Sequence, residues 1–121
     1  MSPTSNGCDL ICDALEQLSS QRIKIVRIGT STNRPDLDKK YGIHIKPTEK
    51  DAQIRIQDIL EKAKIVVSAS FSLHSNSLER SQHVYDTVII DDASMVSEAD
   101  VVTSLKHGCT RAIMVGNPAL V

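Results

Sequence analysis

The residues best placed to do chemistry are Asp91 and Asp92, two adjacent carboxylates delivered by the run Thr87-Val88-Ile89-Ile90 and followed by Ala93-Ser94. A carboxylate at the end of a buried strand can hold magnesium through water. The same pair also suits an ordinary turn and helix cap, so the motif alone leaves both readings open. Ser68 and Ser70 follow a second apolar run, Ile65-Val66-Val67, and Gly116-Asn117 follow a third, Ala112-Ile113-Met114-Val115. Ser5 and Asn6 open a helical pattern. Small donors there suit either an anion or simple capping of the helix N-terminus.

These residues need elements to position them. Leu10, Ile11, Ala14, Leu15 and Leu18 recur at helical spacing after Ser5-Asn6, until Ser19-Ser20 breaks the pattern. Ile23 to Ile28 is a β-branched run closed by Gly29, which predicts a strand. Thr30 to Pro47, with Asn33, Arg34-Pro35, Gly42 and Lys46-Pro47, shows no sustained period and reads as a long surface loop. Thr48 and Asp51 mark a helix start, and Ala52, Ile56, Ile59, Leu60 and Ala63 supply its apolar stripe. The runs ending at Val67 and Ile90 read as buried parallel strands separated by a polar Ser/Asn-rich stretch. Ser97 with Asp100 predicts a capped helix to about Leu105, stopped by Gly108, before a last strand that ends at Gly116.

Alternating strands and helices with near-continuous apolar strands imply an α/β fold, a parallel sheet with flanking helices. In such sheets chemistry gathers at the carboxyl ends of the strands, which is where Ser68, Asp91-Asp92 and Gly116-Asn117 fall. With 121 residues, 40% of them hydrophobic, the chain can bury one modest core and is expected to form one domain. A net charge of -1 excludes a protein that grips nucleic acid by bulk positive charge, so any such contact must be local. Lys39-Lys40, Lys46 and Lys50 are interleaved with Asp36, Asp38, Glu49 and Asp51 and read as a solvated face.

Three cysteines, Cys8, Cys12 and Cys109, make no paired set, which favours free thiols in the cytoplasm or nucleus. Cys8 and Cys12 read as buried small side chains rather than a zinc site. His44, His74, His83 and His107 have no spacing that assembles a metal site or a triad. Phe71, Tyr41 and Tyr85 are too few for a base-stacking platform. The apolar runs are far too short to cross a bilayer.

The order of these pieces resembles superfamily 1 RNA/DNA helicases of the nonsense-mediated-decay helicase and senataxin type, over nearly the whole chain. Pro3 to Ile11 is similar to their second motif, an S-N segment opening a helix with Asp9 one turn in, and Lys24 to Gly29 resembles the strand that follows. Ala63 to Ser70 resembles the strand that ends in a small hydroxyl residue at the nucleic-acid groove. Tyr85 to Ser94 resembles their D-E-A-S box, and Arg111 to Pro118 their V-G-D-P sensor motif. The resemblance implies a partial first RecA-like domain of the P-loop nucleoside triphosphatase class spanning 1–121. It assigns Asp91 to magnesium through water, Asp92 to catalysis, Gly116 and Asn117 to phosphate sensing, and Ser5, Asn6, Ser68 and Ser70 to nucleic acid. It further implies magnesium and ATP in a complete parent, with single-stranded RNA or DNA and the remainder of the helicase as partners.

The chain departs from that pattern. No G-x-x-x-x-G-K-[ST] segment occurs in it, so nothing here cradles a triphosphate, and no cofactor is assigned to the 121 residues alone. Asp92 stands where the family has Glu, one methylene shorter. Asn117 replaces an Asp, and Leu120 falls near a sensor Gln. Two readings follow from the resemblance, a piece of a helicase motor or a catalytically silent interaction or nucleic-acid-binding module derived from one. A third, a flavodoxin-like or receiver-type domain using Asp91-Asp92 for magnesium, would need a lysine after a later strand, and none is present.

Overall fold

The computed structural model describes residues 1–18, 23–29, 33–46, 48–70, 72 and 83–120. Ser19-Ser20, the polar stretch 73–82, Phe71, His74 and the side chain of Leu120 lie outside the described residues. The elements are α1 (Ser5–Leu18), β1 (Ile25–Ile28), α2 (Pro35–Tyr41), α3 (Ala52–Lys62), β2 (Ile65–Ser68), β3 (Thr87–Ile90), α4 (Glu98–Leu105) and β4 (Arg111–Met114), with short 3-10 turns at Ala93–Met95 and Pro118–Leu120. The fold is α/β, as the alternation predicts.

Strands β1 and β2 pair in parallel, as do β3 and β4. Between the two pairs lies the start of the chain. The Ser2 amide donates to the Ser68 carbonyl at 3.1 Å and the Ser2 carbonyl accepts from the Ser70 amide at 2.8 Å. On the other side the Met1 nitrogen donates to the Ile89 carbonyl at 2.6 Å, and the Met1 carbonyl accepts from the Asp91 amide at 2.8 Å. Both are parallel bridge patterns, so Met1-Ser2 join two strand pairs into one parallel layer ordered β1, β2, Met1-Ser2, β3, β4.

Side-chain alternation on β1 and β2 builds two small cores. Val26 and Ile28 pack with Ile56, Leu60 and Ala63 of the α3 region on one face. Ile25, Val67 and Ala69 pack with Cys8 and Cys12 of α1 and Leu37 of α2 on the other. Burying both faces explains why β1 tolerates almost no solvent along its length. The second pair departs from the expectation of buried strands. Ile89 is 53% exposed and every residue of β4 is exposed, because no described helix core closes over this pair as α1 to α3 close over the first.

Three local expectations are corrected. Ser5 and Asn6 do not cap α1; the Thr4 hydroxyl accepts the Gly7 amide at 3.0 Å, one position earlier. The 30–47 loop contains α2, started by Pro35 at the first turn with Asp36 and Asp38, ended by Lys39 and Lys40, and held by buried Leu37. Asp51 precedes α3 in the left-handed region, φ 55°, and its side chain makes no cap bond. The Ser97–Asp100 pair does cap α4, the Asp100 amide donating to the Ser97 hydroxyl at 3.2 Å, and Gly108 ends that region at φ 82°.

A charge buried in β1 ties helix to sheet. Arg27 is 1% exposed. Its Nη2 reaches Asp9 Oδ1 at 3.2 Å, the Ser5 hydroxyl at 2.8 Å and the Ser5 carbonyl at 3.2 Å, while Nη1 donates to the Gly29 carbonyl at 3.1 Å. A guanidinium out of water is stable only with such partners. Asp9→Ala leaves that charge uncompensated and should destabilise the chain by about 3–5 kcal/mol, read from the midpoint of urea unfolding.

Cys8 and Cys12 are fully buried. Burial raises the Cys8 thiol and pushes Cys12 up to about 11, so neither ionises readily near neutrality. Iodoacetamide at pH 8 should label Cys109, which is only half-buried, in the native chain, and should reach all three thiols after denaturation. A mass spectrum of the alkylated protein checks it.

Candidate functional site

The parallel layer brings the carboxyl ends of β2, β3 and β4 to one rim, with Met1-Ser2 and the start of α1 between them. Asp91 is half-buried at the end of β3, its amide held by the Met1 carbonyl. Asp92 is exposed and sits in the left-handed region, φ 52°, which turns the chain sharply off the strand. A non-glycine residue there costs conformational energy, and Asp is among the residues that tolerate it. Neither carboxylate makes a hydrogen bond or ion pair with a described residue. Both remain open to a cation or a water.

The end of β4 is pressed onto the same turn. The Ala93 amide donates to the Val115 carbonyl at 2.7 Å, and the Val115 amide donates to the Ile90 carbonyl at 2.9 Å. A methyl group added at Gly116 would lie 3.0 Å from the Ser94 nitrogen and 3.2 Å from the Ala93 nitrogen. A side chain at Gly116 would make the Ala93-Ser94 turn give by a few tenths of an ångström. Asp91, Asp92 and Gly116 are therefore neighbours, as their positions after successive strands suggested. Asn117 is exposed, and its Oδ1 accepts the Ala119 amide at 3.0 Å, so one of its polar atoms serves a local cap.

The hydroxyl residues lie on the same rim, with their polar atoms turned to the protein. Ser68 and Ser70 are buried, and the Ser68 hydroxyl donates to the Ala69 carbonyl at 3.0 Å. The Ser5 hydroxyl accepts from Arg27. Asn6 is exposed, and its Oδ1 accepts from Asn33 Nδ2 at 2.9 Å. The basic stretch is partly neutralised: Lys40 pairs with Glu16 and lies over the Tyr41 ring, 5.4 Å from its centroid. Arg34 forks onto Asp13 and Asp36, which raises the guanidinium and holds the Asp36 carboxyl below its usual range.

Two site-forming residues escape sequence reasoning. Arg27 places the first turn of α1; its signal is a charge in an otherwise apolar strand, which demands a buried acid. Gly7 approaches Ser2 so closely that an added Cβ would lie 1.9 Å from its hydroxyl, and nothing in residue spacing announces that contact. His83 and His107 flank Tyr85 edge-on, at 4.9 and 6.1 Å between ring centroids. Among the described residues no three His, Cys, Asp or Glu side chains converge to hold a metal ion. No described helix is long and apolar enough to cross a membrane.

A family model described as "AAA domain" matches residues 36–119, the stretch from α2 through both acids to the short turn after β4. The chain belongs to the AAA domain family. It is also similar to Helicase SEN1 of Saccharomyces cerevisiae, 27% identical over 108 residues. That alignment covers 85% of this chain and 5% of the relative, so the chain spans a small part of the relative's length. The similarity agrees with the senataxin-type resemblance read from the motifs. In this AAA domain the Gly116→Ala substitution should force the Ala93-Ser94 turn aside and cost about 1–3 kcal/mol, measured as a fall in Tm.

Proposed function

We propose that residues 1–121 form part of the first RecA-like motor domain of an ATP-dependent superfamily 1 helicase that works on single-stranded RNA or DNA in the nucleus or cytoplasm. The observation that supports this most is the joint rim, where one parallel layer sets Asp91-Asp92 beside Gly116-Asn117. In this reading Asp91 holds magnesium through water, Asp92 orients the attacking water, and Gly116-Asn117 sense the transferred phosphate. Ser5, Asn6, Ser68 and Ser70 mark the nucleic-acid side in this reading; Ser68 and Ser70 are buried there as supports, and it is the amino end of α1, with exposed Asn6, that suits a phosphate.

The carboxylates fit a magnesium ion that arrives with a nucleotide. Magnesium keeps several waters and is commonly held by one or two carboxylates plus phosphate oxygens, which is what two open acids without further ligands can offer. When bound, the ion would neutralise charge on the phosphates. This chain's own residues contribute acceptors for its water shell and a rigid turn to aim them.

A second reading, a catalytically silent module that binds nucleic acid or protein, draws support from Asn117. Its Oδ1 is engaged by the Ala119 amide, and Asp92 is one methylene shorter than the glutamate of the family pattern. The two readings separate in a chain joined to a G-x-x-x-x-G-K-[ST] segment, where only the motor should hydrolyse ATP.

With a fluorescent ATP analogue and magnesium, the 121-residue chain alone should show no saturable binding, and Asp91→Ala should change nothing. Saturable binding that Asp91→Ala abolishes would overturn the dependence on a P-loop and make this rim a complete nucleotide site.

A further inference from the structure

Asn6 and Gly7, in the first turn of α1, form a dipeptide with chemistry of its own. The amide carbon of an asparagine side chain can close a five-membered ring onto the backbone nitrogen of the next residue. That closure is ordinarily hindered by the next side chain and by the hydrogen bonds of a helix. Neither hindrance is complete here. Residue 7 has no Cβ, and one added there would strike the Ser2 hydroxyl, so the packing of Ser2 keeps glycine in this place. The backbone ladder of α1 begins one residue later, where the Cys8 amide donates to the Thr4 carbonyl at 3.2 Å. Among the described residues the Gly7 amide is held by the Thr4 hydroxyl alone, at 3.0 Å. Asn6 is exposed to water, and its Oδ1 accepts from Asn33 Nδ2 at 2.9 Å.

We propose that Asn6-Gly7 is a latent self-modification site, at which the chain converts its own asparagine amide to a carboxylate when the first turn of α1 opens.

The atoms balance with water as the co-reactant. Hydroxide takes the Gly7 amide proton, and the Gly7 nitrogen attacks Asn6 Cγ. The tetrahedral carbon collapses by breaking its bond to Nδ2, which leaves as ammonia, and a cyclic imide then spans the two residues. Water adds to either imide carbonyl. One opening gives an aspartate, and the other leads the backbone through Cγ as an iso-aspartyl linkage. The net change is one water consumed and one ammonia released, with nothing oxidised or reduced.

Two contacts act as brakes. Attack requires Asn6 Cγ to turn onto the Gly7 nitrogen, a geometry that the closed first turn does not hold. The Thr4 hydroxyl keeps the Gly7 amide in its cap, and Asn33 keeps Asn6 Oδ1 on the side of α2. The segment that carries Asn33 is itself tied down, by the Arg34 fork onto Asp13 and by buried Leu37. Local opening at a helix end releases both brakes together. The other described asparagines lack this chemistry. Asn33 precedes Arg34, whose side chain crowds the nitrogen, and Asn117 precedes Pro118, whose nitrogen carries no proton.

The consequence for nucleic acid rests on the helicase reading. There, conversion replaces an amide able to donate to a phosphate by a carboxylate that repels it, at the amino end of α1. The iso-aspartyl form also adds a backbone atom between Ser5, held by Arg27, and Cys8, held in the core.

The test incubates the folded 121-residue chain at mildly alkaline pH and maps residue 6 by peptide mass spectrometry, with an iso-aspartyl methyl-transfer assay to separate the two products. Asn6 should convert while Asn33 and Asn117 stay intact, and the rate should rise with pH. Thr4→Val and Asn33→Ala should each speed conversion severalfold with the circular dichroism of the fold retained, and unfolding in urea should speed it further. Thr4→Ser, which keeps the hydroxyl, should match the unsubstituted chain. An Asn6 that survives in the folded chain and in both faster variants, while the urea-unfolded chain converts, overturns the proposal. Equal rates in the folded chain, Thr4→Val and Asn33→Ala overturn it as well, since opening of the first turn then has no part. None of these readouts involves nucleotide or nucleic acid, so the outcome stands apart from the helicase reading.

Discussion

Four backbone hydrogen bonds made by two residues hold the candidate site in register. Met1 and Ser2 each bond to a different strand pair, and without them the β1-β2 half and the β3-β4 half would share no ladder among the described residues. The rim exists as one surface because of that junction. Ser68 and Ser70 reach it from one side, Asp91 from the other, and the Asp91 amide is itself one of the four donors. Position of the acids is thus a property of sheet assembly more than of the loop that carries them.

The buried guanidinium does for the helix what Met1-Ser2 do for the strands. Arg27 binds the Ser5 hydroxyl, the Ser5 carbonyl and Asp9 from the strand below, which fixes both the height and the rotation of the first turn of α1. Apolar contacts at Cys8 and Cys12 are non-directional and would allow sliding. A paired charge out of water does not. The cost of burying it is offset only when every partner is in place, so this contact discriminates between close alternatives in the packing of α1.

Much of the fold is legible in residue order, and the reasons differ by element. The runs at Ile65 and Thr87 announce strands through β-branched content, although only the first is covered as a buried strand should be, and Ser97 with Asp100 announces a helix through a side-chain cap that forms as expected. Alpha-helix α2 hides because seven residues with a single buried leucine carry too little period to register. Thr4 takes the cap expected of Ser5 and Asn6, since several neighbouring small polar residues can each serve and only the path of the chain decides. Exposure of β4 could not be read locally: Ala112 to Val115 has a buried-strand composition, and what covers a strand is a matter of distant segments. The acids and Gly116 were placed together by strand order alone, but the burial of Ser68 and Ser70 depends on Met1-Ser2 lying across them, which no spacing rule encodes.

The contact between Gly116 and the Ala93-Ser94 turn has a mechanical meaning. Two backbone bonds and a close approach at Gly116, where an added methyl group would crowd the Ala93 and Ser94 nitrogens, hold the end of β4 against the turn that carries Asp92. The spacing between the acids and Gly116-Asn117 is therefore set by backbone against backbone, and a change of side chain at either acid leaves that spacing in place.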